Sequence, residues 1–437
     1  MMQIADAVQS SPLDTQFHIL CFEGPDGYAR AGGIASRISG LSEALAAAGF
    51  ETHLWFVGDP HLPGHENRGQ LSWHRWCQWI SHYHHAGVYD GEEGKRADYT
   101  ASLPPFLLRE FLLPHLERGG RAVVLAEEWQ TVDTVLHLNW LLGNAGVRDK
   151  VTIVWNANNT FSWNRIDWQR LAQAAVITTV SRFMKHQLWP QGVNALVISN
   201  GLTADAFTPP DREAMAALRA RMRNRMLLTK VARWDPDKRW MLAIETVAVQ
   251  KSLGWQPLLL ARGGLESHGA EVMAKAAAMG LRVVRRTSQV SGVQGLLQAL
   301  EGTERADVVE LAARLDAESC RVLFRGSAAV LANSGREPFG LVGLETMAAG
   351  GVACTGSTGE DYAIPGQNAL VLETADPREF VTLFNELRTN PVKERALRRA
   401  ARASAERYAW PQIVKRLLLP RLQLAAKPPP IKELKRA

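Results

Sequence analysis

The stretch SGREPFGLVGLETMAAGG, residues 334–351, sets the frame for the rest of the chain. It follows an apolar run, AAVLAN (328–333), and enters a helical pattern that begins near Gly340. A buried strand, a glycine-bearing turn and a helix in that order are the repeating piece of a parallel α/β sheet. Two carboxylates, Glu337 and Glu345, are separated by seven residues, one on the loop and one in the helix. Pro338 stiffens the turn, and Gly340 lets the backbone approach a ligand closely. The free N–H groups at the start of the helix, together with its dipole, suit a phosphate or a partly negative oxygen. Glu337 reaches out from the loop. Glu345 lies where a carboxylate can accept hydrogen bonds from a diol such as ribose.

Two further segments upstream fit the same chemistry. In KVARWDPDKRW (230–240), Arg233 and Lys238 stand five apart around a turn set by Asp235 and Pro236. A planar guanidinium fork and a point-charge ammonium at a strand end can neutralise a diphosphate leaving group as its charge develops. In YARAGGIASRISGLSEALAAAGFETHLW (28–55), Gly32 and Gly33 lie between the first strand and the first helix. Backbone N–H groups at such a turn can face a diphosphate.

Between these segments strand-like runs alternate with helical periodicity. FHILCF (17–22), ETHLWFV (51–57), RAVVLAEE (121–128), VTIVWN (151–156), AAVITTVS (174–181) and ALVISN (195–200) form a first series. GLTADAFTPPDREA (201–214) interrupts it and predicts an interdomain linker. RMLLTKVA (225–232), QPLLLA (256–261), LRVVRR (281–286), DVVEL (307–311), AAVLAN (328–333) and GVACT (351–355) form a second. The expectation is an α/β protein of two doubly wound, Rossmann-like domains facing each other across a cleft, with ligands beyond the carboxyl ends of the strands. The boundaries expected are 15–202 for the first domain, 203–405 for the second, 406–424 for a C-terminal helix crossing back, and 425–437 for a flexible basic tail. Residues 60–120 break the rhythm with an aromatic insertion holding Trp73, Trp76, Trp79, Tyr83, Tyr89 and Tyr99. The tryptophans, spaced by three, predict one side of a helix, the side of a core stripe or of a platform for an acceptor.

The segment around Glu337 and Glu345 resembles the E-x7-E motif of the retaining GT-B glycosyltransferases of group 1, including the bacterial glycogen and plant starch synthases. KVARWDPDKRW resembles their G-R-x-x-x-x-K segment, with Ala232 in place of the glycine. R-A-G-G-I (30–34) is similar to their K-x-G-G-L, with Arg30 at the lysine position. LAEEWQT (125–131) resembles H-D-W-Q-T, with Glu127 and Glu128 replacing His and Asp. TTVSRFMKHQL (178–188) and VISNGLTADAFTP (197–209) resemble the stretch before the interdomain linker, and YAWPQIVKRLLLPRL (408–422) the terminal helix. The resemblance implies that Glu337 contacts donor-sugar hydroxyls, Glu345 the nucleotide ribose, and Arg233 and Lys238 the diphosphate. Gly32, Gly33, Asn156, Phe339, Gly340 and Leu341 would complete the donor site. Trp73, Trp76, Trp79 and Tyr83 would line the acceptor site in the first domain.

One departure stands out. These families carry a histidine after the strand matching VTIVWN, near the donor sugar's 6-hydroxyl. Here the segment is WNANNTFSW, and Trp155 or Asn156 falls at that place. An asparagine can hydrogen-bond a sugar but cannot serve as acid or base. In this group the leaving phosphate is thought to help deprotonate the acceptor.

The function expected is transfer of a hexose, glucose by preference, from a nucleoside-diphosphate sugar such as UDP- or ADP-glucose to a carbohydrate or small-molecule acceptor, with retention. The alternatives are a sugar-nucleotide epimerase or hydrolase of the same fold and a catalytically silent sugar-binding protein. No cofactor and no metal is required: no D-x-D stands at a strand end, and His82, His84 and His85 lack a matching distal cluster. The 437 residues, 46% hydrophobic and 22% charged, suit two globular domains. The formal charge of +6 gathers late in the chain, without the interleaved aromatics of a nucleic-acid surface. Contact with an anionic membrane is at most peripheral. Four scattered cysteines and an N-terminus without a basic start and apolar stretch point to the cytoplasm.

Overall fold

A computed structural model describes residues 14–222, 225–288 and 290–425. The chain divides into two compact units, residues 1–201 with 410–437, and residues 202–409. The tail expected over 425–437 lies, from residue 426 on, outside the described residues.

The first unit is built on one eight-stranded sheet. Its strands are β1 (Thr15–Leu20), β2 (Glu51–Val57), β3 (His65–Arg68), β4 (Leu71–Trp76), β5 (Arg121–Glu127), β6 (Val151–Ala157), β7 (Val176–Thr179) and β8 (Leu196–Val197). They lie in the order β3-β4-β2-β1-β5-β6-β7-β8. All neighbours are parallel except β3 and β4. Continuous apolar runs such as RAVVLAE are buried on both faces, as central parallel strands require. The order reverses between β1 and β5, so the loops after those two strands border the crevice where doubly wound sheets take ligands.

The insertion extends this sheet. Leu71–Trp76 is a strand, with Leu54 opposite Trp73 and Val57 opposite Trp76. This corrects the helical expectation for Trp73 and Trp76; Trp79 lies in the short helix Gln78–Ser81. Residues three apart on a strand point to opposite faces. Trp73 is buried beside Phe56, under the guanidinium groups of Arg68 and Arg75. Trp76 packs on the other face against Trp55 and Phe106. The free edge of β2 outweighed the three-residue spacing, because pairing there satisfies a row of backbone groups that a helix would leave open.

The chain returns to the first unit at Trp410, whose ring is 2% exposed. Two glycines make room for it. A Cβ on Gly40 would lie 2.1 Å from the indole nitrogen, and one on Gly201 2.6 Å from the ring.

The second unit holds a seven-stranded sheet, all parallel. Its strands are β9 (Met226–Val231), β10 (Pro257–Arg262), β11 (Val283–Arg286), β12 (Val308–Leu311), β13 (Ala329–Ala332), β14 (Ala353–Thr355) and β15 (Leu370–Val371). Their order is β11-β12-β10-β9-β13-β14-β15, so the reversal falls between β9 and β13. The expected linker over 201–214 is partly built into this unit. Ala204–Phe207 forms a 3-10 turn, and Arg212–Met222 is a helix whose Ala214, Met215 and Leu218 are buried in the core. Among the described residues, no helix is long and apolar enough to cross a membrane.

Candidate functional site

The loops after β9 and β13 flank the reversal point of the second sheet. After β9, Asp235 accepts a hydrogen bond from the Asp237 amide at 2.8 Å, Pro236–Lys238 forms a 3-10 turn, and Arg239 sits at φ 53. The helix Trp240–Ser252 follows. This turn is stitched to the other loop: Gly335 donates to the Asp237 carbonyl at 2.7 Å, and Arg336 to its carboxylate at 3.1 Å. Lys238 and Glu337, 99 residues apart, therefore meet, with Nζ donating to Oε2 at 2.7 Å. Arg233 has an exposed side chain, with Asp235 at 4.0 Å. Arg336 is exposed as well. The turn thus holds the Lys238–Glu337 pair, with the exposed Arg233 beside Asp235 and the exposed Arg336 beside Asp237.

Gly340 starts the helix Leu341–Ala348 in the left-handed region, at φ 79. Only glycine fits there without strain, and a Cβ would come within 2.8 Å of Glu360 and 2.9 Å of the Tyr362 hydroxyl. The first amides of that helix have no partner within it. Leu341 is half-buried in its first turn. Phe339 is 2% exposed and packs against Tyr362 and Tyr408, so it supports the loop from beneath. Glu345, half-buried one turn into the helix, has its carboxyl pushed up to about 7 by burial.

Glu360 has no signature in the sequence. It is buried, and burial, followed by the charge of Glu337, pushes it up to about 7. One of its oxygens accepts from the Thr358 amide at 3.1 Å, and the other has no hydrogen-bond partner among the described residues. Thr358 also accepts from the Glu337 amide at 2.9 Å, so the two glutamates share one tether. Only the turn after β14 brings them together, and no spacing rule anticipates it.

In the first unit the loops after β1, β5 and β6 carry the other expected residues. Gly32 and Gly33 open the helix Gly33–Ala47, but the amides of Gly32 and Ala35 donate to the Glu23 carboxylate at 3.0 and 2.9 Å. The Tyr89 hydroxyl donates to the other Glu23 oxygen at 2.7 Å. The expected diphosphate-facing turn thus has the amides of Gly32 and Ala35 held by the protein's own carboxylate. Asn156 is buried, its amide donates to Glu127 at 2.9 Å, and its oxygen accepts from Thr178 at 2.8 Å. Both ends of the side chain are used. Glu127 pairs with Arg37 at 3.0 Å. Glu128 has φ 68, held by its amide on the Asn156 carbonyl and by the Trp155 indole on its own carbonyl. Burial pushes its carboxyl up to about 8.

The aromatic set separates. Trp73 belongs to the core. Trp76 is half-buried and donates to Ser102 at 2.7 Å. Trp79 and Tyr83 are exposed, at 65% and 76%. Among the described residues no group of three or more His, Cys, Asp or Glu is arranged to hold a metal ion.

Comparison with known structures places this architecture. Sucrose-phosphate synthase from Thermosynechococcus elongatus superposes with a TM-score of 0.63 at 20% identity, covering 94% of this chain and 100% of that one. The catalytic domain of starch synthase IV from Arabidopsis thaliana, bound to ADP and acarbose, gives 0.63 at 16%, covering 92% and 99%. The E. coli trehalose-6-phosphate protein bound with UDP-2-fluoro glucose gives 0.64 at 14%, covering 93% and 99%. The fold is that of the GT-B glycosyltransferases. Residues 283–404, which include Glu337, Glu345 and Glu360, match the family Glycosyl transferases group 1. No curated protein sequence matches it.

Proposed function

We propose that this chain transfers a hexose, glucose by preference, with retention, from a nucleoside-diphosphate sugar such as UDP- or ADP-glucose to a carbohydrate or small-molecule acceptor. The observation that carries the proposal is the Lys238–Glu337 pair at the reversal point of the second sheet. At rest each neutralises the other. A diphosphate competes for Lys238 and, by taking it, frees Glu337 to accept hydrogen bonds from the sugar's hydroxyls. Arg233 and the amides of the helix at Gly340 add donors to the same anion. Glu345, raised by burial, accepts from the ribose diol. In the transfer step the acceptor oxygen bonds to the anomeric carbon as the bond from that carbon to the phosphate oxygen breaks. The leaving phosphate takes the acceptor's proton. That assignment of the base fits an Asn156 whose amide cannot serve as acid or base and is hydrogen-bonded to Glu127 and Thr178. The donor's charge is met by side chains and helix amides, so turnover is expected to persist in EDTA. Trp79 and Tyr83 offer ring faces to a sugar acceptor.

Product analysis with a panel of nucleotide sugars tests the proposal. A glycosidic product with the donor's anomeric configuration supports it. Free sugar or an epimerised donor without an acceptor product would make the chain a hydrolase or epimerase. Binding without turnover would favour the catalytically silent alternative, for which the fully engaged Asn156 speaks.

A further inference from the structure

Lys230 lies on β9, one residue before its end, and its side chain is 1% exposed. Burying an ammonium costs several kcal/mol unless it is paired, yet among the described residues no carboxylate stands within ion-pair distance of it. Its Nζ donates to the Leu331 carbonyl at 2.9 Å and to Asn333 Oδ1 at 3.0 Å, and it lies 5.4 Å from the centre of the Trp240 ring. Leu331 is in β13, and Asn333 begins the loop that carries Glu337. The titratable groups that face it are Lys238 and Arg239 from the turn after β9, Glu337 from the loop after β13, and the Cys354 thiol from β14, which burial keeps uncharged. The helix Trp240–Ser252 presents the indole ring of Trp240 to it.

A methionine or leucine would fill this space without the penalty of a buried charge. What the lysine adds is two hydrogen bonds to the root of one loop and a positive charge beneath the place where two cations and a helix start converge. We infer that Lys230 is a positioning residue for the Glu337 loop, and that it takes up a proton when a nucleoside diphosphate binds there. The inference rests on the donor site proposed above. Burial brings the lysine down to about 7, so the resting protein holds it part neutral. Neutral amine still donates hydrogen bonds, but more weakly than ammonium. An arriving diphosphate favours the charged form. By linkage, each unit by which the ligand raises the lysine's pKa strengthens binding about tenfold relative to a lysine held neutral; the gain is complete below the free lysine's pKa and is lost as the pH rises through the bound one. Binding at pH 8 thus draws a proton from the buffer, and binding near pH 5.5, where the lysine is already charged, draws none from this group.

Titration calorimetry of the full chain with UDP and with ADP, in Tris and in HEPES at pH 8 and in two buffers near pH 5.5, reads the proton directly. The wild type is expected to take up a proton fraction at pH 8. Glu345 and Glu360 can contribute as well, so the decisive quantity is the difference made at Lys230. Lys230→Met should lower the uptake and weaken binding about tenfold at pH 7. Lys230→Arg, always charged, should lower the uptake equally while keeping or improving affinity at pH 8. Should the methionine variant not fold, the arginine variant carries the test alone. Uptake in either folded variant equal to the wild type's overturns the inference, and so does a wild type that binds UDP or ADP with no uptake at pH 8. A wild type that binds neither nucleotide would instead overturn the donor site itself.

Discussion

The two sheets reverse their strand order at equivalent places, after β1 and β5 in one unit and after β9 and β13 in the other, yet the loops there are prepared in opposite ways. In the first unit the helix start is already bound by Glu23, and Asn156, Glu127 and Arg37 satisfy one another. In the second, Glu337 is drawn to Lys238, and among the described residues no carboxylate accepts from the first amides of the helix at Gly340; Arg233 and Arg336 are exposed. One topology yields an end whose helix amides are taken by a carboxylate of the same connection and an end where a lysine and a glutamate pair across two loops. Fold alone therefore does not say where a diphosphate binds. The side chains on the loops decide it.

The largest effect that separates the two units should come from the tryptophans of the first. Trp73→Ala opens a cavity beside Phe56 and removes the seat of Arg68 and Arg75, at a cost of about 3–5 kcal/mol, read as a fall in Tm. Trp79→Ala and Tyr83→Ala should leave Tm within the equivalent of about 0.5 kcal/mol and raise acceptor KM. Early melting of the Trp79 variant would move it into the core and leave the first unit without an aromatic acceptor surface.

Replacing Arg233 and Lys238 together by alanine should weaken UDP or ADP binding on the order of 100-fold, from the loss of two charge-assisted contacts. The circular dichroism spectrum should not change. Unaltered affinity would place the anion elsewhere and remove the contrast between the units.

Next in size is a split between the two glutamates. Glu337→Gln should lower kcat on the order of 100-fold with little change in donor KM, since the charge it meets develops in the transition state. Glu345→Ala should raise donor KM roughly tenfold, the loss of about one hydrogen bond to the ribose. The opposite pattern would exchange their roles.

The smallest effect tests the first unit directly. Glu23→Gln removes the charge at the start of the helix Gly33–Ala47 and should cost about 1 kcal/mol of stability, with unchanged UDP affinity. A marked tightening of UDP binding would show that Gly32 and Gly33 hold the diphosphate and that Glu23 only guards the turn.

How much of this was legible in the residues differs by region. The alternation of apolar runs with helical periodicity, the Arg233–Lys238 turn and the Glu337–Glu345 spacing are local patterns, each written within about twenty residues. The strand at Leu71–Trp76 was read as a helix because three-residue spacing fits one face of a helix, while the edge of β2 that captures it lies outside the local window. Nothing in the residues around Asn156 marks Glu127, which comes from the neighbouring strand β5, as its partner, and although Glu23 stands only nine residues before Gly32, the path of the loop between them is what turns its carboxylate onto the helix start.

By itself, the sequence determined two α/β units with ligand-bearing loops at strand ends, because side-chain periodicity follows directly from backbone geometry. Only the tertiary structure decided which of those loops are already satisfied and which are open. It paired Lys238 with Glu337 across 99 residues, left one oxygen of Glu360 without a hydrogen-bond partner among the described residues, and buried Lys230 beneath the Glu337 loop. Hydrogen bonds and charges act over a few ångströms of space, whatever the separation along the chain. Their partners are fixed only when the sheet order and the turns between its strands are fixed.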